Sequence, residues 1–94
     1  NGPIDATFNA IKKLSSTDFK LKLYQVNAIT AGTDAQGEVT VRLEDKDLSS
    51  QAKGSDPDII VASAKAYINA LNRLIFKKSK SIKENSSNLE IRGV

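Results

Sequence analysis

The chain has 94 residues, of which 39% are hydrophobic, with two tyrosines, three phenylalanines and no tryptophan. This length predicts a single domain whose modest core is filled mainly by small aliphatic side chains. The chain contains neither cysteine nor histidine, which excludes disulfides, thiolate nucleophiles, imidazole bases and the usual zinc ligands. We therefore expect no catalytic residues and no metal site within it.

The positive charge is concentrated near the C-terminus. Residues 77–83 contain four lysines and no acid, whereas residues 1–76 carry nine basic and nine acidic residues. We predict a folded domain over residues 1–76 and a flexible basic tail over residues 77–94. No signal peptide is apparent, and no apolar run approaches the roughly 20 residues of a membrane helix. These features predict a cytoplasmic protein that does not bind a membrane.

A proline marks the start of the first predicted helix. Pro3 follows Gly2, and proline suits the first helical position because its missing N–H would have no partner there. Asp5 in the first turn favours the positive end of the helix dipole. The apolar stripe of this helix comprises Ile4, Phe8, Ile11 and Leu14.

Three strands follow. Phe19, Leu21 and Leu23 alternate with lysines, and the alternation then slips by one residue so that Tyr24, Val26, Ala28 and Thr30 share a face. Such a slip predicts a β-bulge. The glycine-bearing segment 31–38 predicts a polar loop, and Val39, Val41 and Leu43 predict a second strand. A polar turn at residues 44–47 precedes a weak third strand over residues 48–53, expected at an edge or at an exposed position.

The second helix is predicted to run from residue 59 to about Phe76. Asp56 is the expected N-cap and Pro57 the expected first helical residue. Alanines at positions 62, 64, 66 and 70 leave little bulk, which predicts close approach of this helix to a sheet.

The fold class is therefore α+β, with the order α-β-β-β-α and an antiparallel sheet that has both helices on one face. Three strands would cover two helices poorly. We expect further strands from upstream chain or from a partner subunit, and hence a dimer.

Three segments together resemble one family. They are NGPIDA at 1–6, YQVNAITAGTDAQGEV at 24–39 and DIIVASAKAYINALNRL at 58–74. They are similar to the C-terminal regulatory domain of 2-isopropylmalate synthase, and related domains occur in citramalate synthase. The resemblance covers residues 1–76, and the tail takes no part in it.

The resemblance implies a regulatory module of two successive βββα units that dimerises through its sheet and helices. This module binds leucine, or a related branched-chain amino acid, as a feedback inhibitor. The chain would hold the last helix of the first unit and all of the second. Catalysis by the parent acyltransferase, with its divalent metal and acetyl-CoA, would lie in a barrel outside this chain, which itself needs no cofactor.

The same resemblance implies a set of effector-binding residues. They lie at the two helix starts, along the slipped strand and in the glycine loop, and comprise Gly2, Pro3, Ile4, Ala6, Leu21, Tyr24, Ala28, Asp34, Ala35, Ser55 and Pro57. Helix N-termini suit a carboxylate, because their first N–H groups lack partners within the helix and lie at the positive end of the dipole. Each glycine or proline taken alone is equally typical of an ordinary turn or helix start.

Two other functions compete with this interpretation. A regulatory domain of citramalate synthase would sense isoleucine, and the shape difference between these amino acids is too small to decide from residue types. A small nucleic-acid-binding module would use the lysine tail, but residues 1–76 are neutral and no strand carries a paired aromatic platform for bases. We therefore expect no nucleic-acid partner. A free-standing enzyme is disfavoured because no pair of acids shares a helical face beside an apolar pocket.

Overall fold

A computed structural model describes residues 2–14, 18–31 and 34–92 of the chain. The elements are α1 (Pro3–Leu14), β1 (Lys20–Ala31), β2 (Asp34–Asp45), β3 (Leu48–Asp56) and α2 (Ile59–Arg92). The predicted order α-β-β-β-α and the predicted start of the first helix at Pro3 are confirmed.

The three strands form one antiparallel sheet in the order β1-β2-β3. Leu21 lies opposite Leu43 and Leu23 opposite Arg42, so Lys22 is the extra residue of a bulge. The predicted slip in alternation is thus confirmed. Beyond the bulge Tyr24 pairs with Val41, which places Tyr24 on the same face as the buried strand residues.

Both helices cover that face, as expected. Val39, Val41 and Leu43 of β2 are completely buried beneath α2. The opposite face of the sheet is polar, and there Arg42 Nε donates to Gln51 Oε1 over 3.0 Å. The result is a two-layer structure with one buried apolar face and one solvated polar face.

Small residues let α2 lie very close to the sheet. Ala62, Ala66 and Ala70 are completely buried. A Cβ atom added at Gly54 of β3 would lie 2.5 Å from the backbone nitrogen of Ala66 and 2.6 Å from the carbonyl oxygen of Ala62. The close approach predicted from the alanines is therefore confirmed, and Gly54 is its counterpart in the strand.

An aromatic cluster attaches α1 to the rest of the domain. The Phe8 ring stacks on Tyr67 of α2, with ring centroids 4.4 Å apart, and meets Tyr24 of β1 edge to face at 5.5 Å. Phe19 contacts the other side of this cluster, with its centroid 5.8 Å from that of Tyr67. Tyr67 belongs to the core, since only 3% of it is exposed.

The second helix is longer than expected. It continues to Arg92 rather than ending near Phe76, so the predicted end is wrong. Residues 77–92 are rich in Ser, Asn and Lys, as tails are, but they contain no proline or glycine to stop a helix. The flexibility expected of residues 77–94 stays a prediction.

The segment Ile59–Ile82 of α2 is long and apolar enough to cross a membrane by length and composition, with a mean hydropathy of 1.2. The expectation that no apolar run approaches the length of a membrane helix is therefore wrong for α2. Core helices of soluble proteins pass the same test, and here one face of the helix packs on the sheet.

Side chains of α2 cover the outer edge of β3. They donate hydrogen bonds to alternate strand carbonyls, and the pairs are Lys65 Nζ to Ser55 O (3.3 Å), Asn69 Nδ2 to Lys53 O (3.0 Å), Arg73 Nη1 to Gln51 O (2.6 Å) and Lys77 Nζ to Ser49 O (2.5 Å). Four helical residues and two strand residues both advance about 6 Å, so the two series stay in step. The weak third strand is an edge strand as predicted, but its edge is covered rather than exposed.

One of the two predicted loops between strands has different bounds from those expected. The tight turn between β2 and β3 is confirmed at Lys46 and Asp47, and Lys46 has a φ of 56°. The polar loop predicted over residues 31–38 is wrong in extent, because β1 continues to Ala31 and β2 begins at Asp34. Gly32 and Thr33 lie outside the described residues.

Candidate functional site at the start of both helices

Both helices begin at the same end of the sheet. Lys12 of α1 lies over the Phe19 ring. Phe8, one turn nearer the start of α1, contacts Tyr24, so α1 runs antiparallel to β1. Tyr67 of α2 contacts Phe19. Ser63, one turn nearer the start of α2, hydrogen-bonds to Tyr24, so α2 also runs antiparallel to β1. The two N-termini therefore lie toward the hairpin that joins β1 and β2.

The start of α1 is shaped by a glycine. Gly2 has a φ of +112°, a conformation that side chains rarely tolerate, and its carbonyl accepts the N–H of Ala6 over 3.0 Å. Gly2 is thus the N-cap of the helix but has no side chain with which to cap it. Ile4 is half-buried and packs against the core. This helix start consequently offers backbone donors beside an apolar surface.

The start of α2 is capped differently. Asp58 accepts the N–H of Ile60 at Oδ1 over 2.9 Å, and its carbonyl accepts the N–H of Ala62 over 2.9 Å. Asp58 is therefore the N-cap, and the assignment of that role to Asp56 is wrong. The strand continues to Asp56, which pairs with Gly37, and the helix begins at Ile59. The predicted start at residue 59 is therefore confirmed, whereas the assignment of Pro57 as the first helical residue is wrong.

Asp56 instead stabilises the junction between β3 and α2. Its Oδ1 accepts the N–H of Asp58 over 2.9 Å, and its Oδ2 accepts from Lys65 Nζ over 2.9 Å. The first of these hydrogen bonds, followed by the bond to Lys65, lowers the pKa of the Asp56 carboxyl. Two carboxylates already accept from backbone N–H groups at this helix start.

The lowered pKa of Asp56 predicts a pH-dependent stability difference. The ionised form is favoured in the folded state, so its contribution is present above the unfolded pKa of about 3.9 and is lost as the pH falls through the lower folded pKa. We expect Asp56→Asn to lower the free energy of unfolding at pH 7 and to have a shrinking effect below about pH 4. Urea unfolding of both proteins between pH 2.5 and 7 measures this. A difference that does not change with pH would contradict the role of the charge.

Tyr24 joins β1 to the first turns of α2. Its hydroxyl lies 2.7 Å from Ser63 Oγ, and Ser63 Oγ in turn lies 2.7 Å from the carbonyl oxygen of Ile59. Further along the same face of β1, Ala28 is exposed and pairs with Gly37. The absent side chain at Gly37 leaves room for Ile59, whose Cδ1 lies 2.8 Å from where a Cβ would be.

The expected site residues fall into separate groups. Gly2, Pro3 and Ile4 begin α1 together with Ala6, whereas Pro57 precedes α2 at the same end of the sheet. Tyr24 and Ala28 lie between these starts on the helix-covered face. These seven residues lie toward the end of the sheet where the two helices begin.

The remaining expected residues lie elsewhere. Leu21 precedes the bulge and lines a different cavity of about 300 Å³, together with Phe8 and Tyr67. Ser55 pairs with Glu38, which by alternation directs its side chain to the polar face of the sheet, away from the helices. Ala35 pairs with Thr30 in the hairpin.

Asp34 is described only by its backbone, which pairs with that of Ala31 at the end of the hairpin. Its side chain lies outside the described part of the structure, so its expected role as a ligand stays a prediction.

Ser63 is the residue at this end that the sequence analysis did not single out. It is completely buried, and its hydroxyl is satisfied by Tyr24 and by the helix backbone. In the sequence, Ser63 is a single hydroxyl residue among the alanines of an apolar helix face, and this pattern could have indicated it. Among residues 2–14, 18–31 and 34–92, no group of three or more acidic side chains is placed to hold a metal ion.

Comparison with known proteins identifies the family. The model of the LeuA allosteric (dimerisation) domain matches residues 1–75. A protein named 2-isopropylmalate synthase from Rhodopseudomonas palustris (strain TIE-1) is 52% identical over 93 residues, which is 99% of this chain and 18% of the relative. A protein of the same name from Afipia carboxidovorans is 58% identical over 80 residues, or 85% of this chain and 15% of the relative.

The chain therefore spans less than a fifth of the length of the relatives it matches. No solved structure shows a significant match. The family model covers most of the chain, including both helix starts and the whole sheet. This chain belongs to the LeuA allosteric (dimerisation) domain family.

Proposed function

We propose that this chain is the leucine-sensing regulatory domain of a 2-isopropylmalate synthase. The observation that carries the proposal is the start of α1, where the N-cap is a glycine without a side chain and the first turn lies beside the half-buried Ile4. Two findings support it. The family is described as allosteric, and the similar proteins are named 2-isopropylmalate synthase.

The carboxylate of leucine would bind at the start of α1. The first N–H groups of a helix have no partner within the helix and lie at the positive end of its dipole. The start of α2 is less suitable for an anion, because Asp56 and Asp58 already accept from its N–H groups. A second carboxylate there would be repelled by both side chains.

Those two carboxylates suit the ammonium group of the ligand instead. They lie at the end of the sheet where α1 also begins, so that a zwitterion placed between the helix starts would meet donors on one side and acids on the other. Ile4, Tyr24 and Ala28 would contact the aliphatic side chain. Leucine, isoleucine and valine differ by one methylene or its position, which is worth about 1–3 kcal/mol.

The whole protein would be a cytoplasmic homodimer in which this domain biases a separate catalytic barrel. That barrel would use a divalent metal and acetyl-CoA to condense an acetyl group with 2-oxoisovalerate. Leucine can inhibit only if it binds one conformational state of the enzyme more tightly than the other. The names of the relatives favour this reaction over citramalate synthesis.

A nucleic-acid function receives little support from the lysine run. Lys77 donates to the Ser49 carbonyl and Lys78 forms a salt bridge with Asp45. Two of the four lysines are thus directed to the sheet rather than outward to phosphates. If the tail bound nucleic acid, its affinity for RNA would be weak and would fall steeply with salt concentration.

Titration calorimetry of the full-length protein with leucine tests the proposal. We expect saturable binding of leucine, weaker binding of valine and none of D-leucine. Gly2→Asp is expected to weaken leucine binding at least ~10-fold, because it places a carboxylate where the ligand carboxylate binds. Gly2→Asn is the matched control, since it adds the same bulk and backbone strain without the charge. Absence of heat and of inhibition at millimolar leucine would refute the proposal.

A further inference from the structure

A buried serine connects the strand residue Tyr24 to α2. Ser63 is completely buried on the face of α2 that packs on the sheet, where the neighbouring small residues are alanines. Its hydroxyl oxygen lies 2.7 Å from the hydroxyl oxygen of Tyr24 and 2.7 Å from the carbonyl oxygen of Ile59. Buried hydroxyl groups are normally hydrogen-bonded, and these two oxygens are the partners that satisfy Ser63.

The three oxygens fix the direction of both hydrogen bonds. The carbonyl of Ile59 carries no hydrogen and can only accept, so the Ser63 hydroxyl donates to it. A serine hydroxyl has one hydrogen, so the Tyr24 hydroxyl must donate to Ser63 Oγ. Tyr24 consequently has no hydrogen left to donate to the carboxylate of a ligand. Its contribution to a bound amino acid is therefore the surface of its ring.

The Tyr24 ring is held at two points. Its hydroxyl is bound by Ser63 of α2, and its ring meets that of Phe8 of α1 edge to face, with the ring centroids 5.5 Å apart. The ring is thus fixed between the two helices whose starts form the proposed effector site. Tyr24 is only half-buried, so a change of side-chain rotamer could carry its hydroxyl to water if the bond to Ser63 were lost.

We infer that Ser63 is a positioning residue of the effector site, which acts by accepting the Tyr24 hydroxyl and so fixes the ring that contacts the aliphatic side chain of the ligand. The inference rests on the proposed function, because that function places leucine against Tyr24. Ser63 itself is completely buried and acts only through the tyrosine. Without the serine hydroxyl, the tyrosine donor has lost its acceptor, which is unfavourable unless the ring swings out to water. The ligand then loses one wall of its pocket.

Titration calorimetry of full-length variants with leucine tests the inference. We expect Ser63→Ala to raise the Kd for leucine roughly 10-fold, because the unpaired Tyr24 hydroxyl draws the ring out of the site. Tyr24→Phe keeps the ring and removes the donor, so its Kd should stay within about 3-fold of the wild type. The double variant should bind like Tyr24→Phe, because it has no donor left without an acceptor. The second substitution therefore restores the affinity that Ser63→Ala removes.

Ser50→Ala is the matched control. Ser50 is also buried between the sheet and α2, and its hydroxyl donates to the carbonyl of Ala70. Its replacement removes a buried hydroxyl of the same kind without touching Tyr24. We expect this variant to lose stability but to keep the Kd of the wild type for leucine. Thermal unfolding of every variant separates lost stability from lost affinity.

Three results would overturn the inference. They are an unchanged Kd in Ser63→Ala, equal losses of affinity in Ser63→Ala and Ser50→Ala, and a double variant that binds no better than Ser63→Ala. Each of these would leave the proposed effector site standing, because the wild type would still bind leucine. A wild type that does not bind leucine would instead refute the proposed function, and the role of Ser63 with it.

Discussion

Gly54→Ala is expected to destabilise the domain by about 3 kcal/mol or more. The added methyl group would lie 2.5 Å from the Ala66 nitrogen and 2.6 Å from the Ala62 carbonyl oxygen. Both are backbone atoms of α2, so relief requires the whole helix to move away from the sheet. Overpacking of a dense core costs about 1–3 kcal/mol even when side chains can adjust. Domains are stable by only about 5–15 kcal/mol, so this single methyl group removes a large part of the total.

Thermal and urea unfolding of Gly54→Ala measure this effect, with Gly37→Ala as the matched control. A Cβ at Gly37 would meet the Cδ1 atom of Ile59 at 2.8 Å, which is the end of a flexible side chain. We expect the control to cost less than about 1 kcal/mol, because Ile59 can change rotamer. Equal losses in the two variants would show that α2 does not approach β3 as closely as described.

Phe8→Ala is expected to cost about 3–5 kcal/mol and to loosen α1. Phe8 is 6% exposed, and its ring contacts both Tyr67 and Tyr24. These rings provide the main attachment of α1, so their loss creates a cavity and removes favourable aromatic pairs. The start of α1 should then lose its fixed position relative to Tyr24. Leucine affinity should therefore fall even though Phe8 lies outside the proposed site.

Hydrogen exchange measured alongside urea unfolding tests both parts of this prediction. Relative to the wild type, the amides of α1 should lose more protection in Phe8→Ala than the amides of the strands. Phe8→Leu keeps much of the apolar volume and should show an intermediate loss. Unchanged protection of α1 in Phe8→Ala would mean that other contacts hold the helix in place.

Local sequence patterns predicted the elements because each pattern reflects local geometry. The slip from Leu23 to Tyr24 identified the bulge, since alternation fixes which side chains share a face. Pro3 identified the first helical residue. Alanines in α2 predicted its close approach to the sheet, although the position that receives the helix, Gly54, depends on strand register and could not be assigned from composition.

Other features depend on tertiary contacts and were therefore missed. The cap of α2 was assigned to Asp56 rather than Asp58, because the sequence alone does not show that β3 continues to Asp56. Pairing of Ser55 with Glu38 is likewise a matter of register, and it turns the Ser55 side chain away from the helices. The extension of α2 to Arg92 was hidden by a polar composition that is typical of tails.

A crystal structure of the full-length protein with bound leucine would show where the effector lies. We expect the leucine carboxylate at the backbone of Gly2 and Ile4, its side chain against Tyr24 and Ala28, and its ammonium toward the acidic start of α2. Leucine bound elsewhere, with the turn at Gly2 empty and facing solvent in the complete assembly, would contradict it.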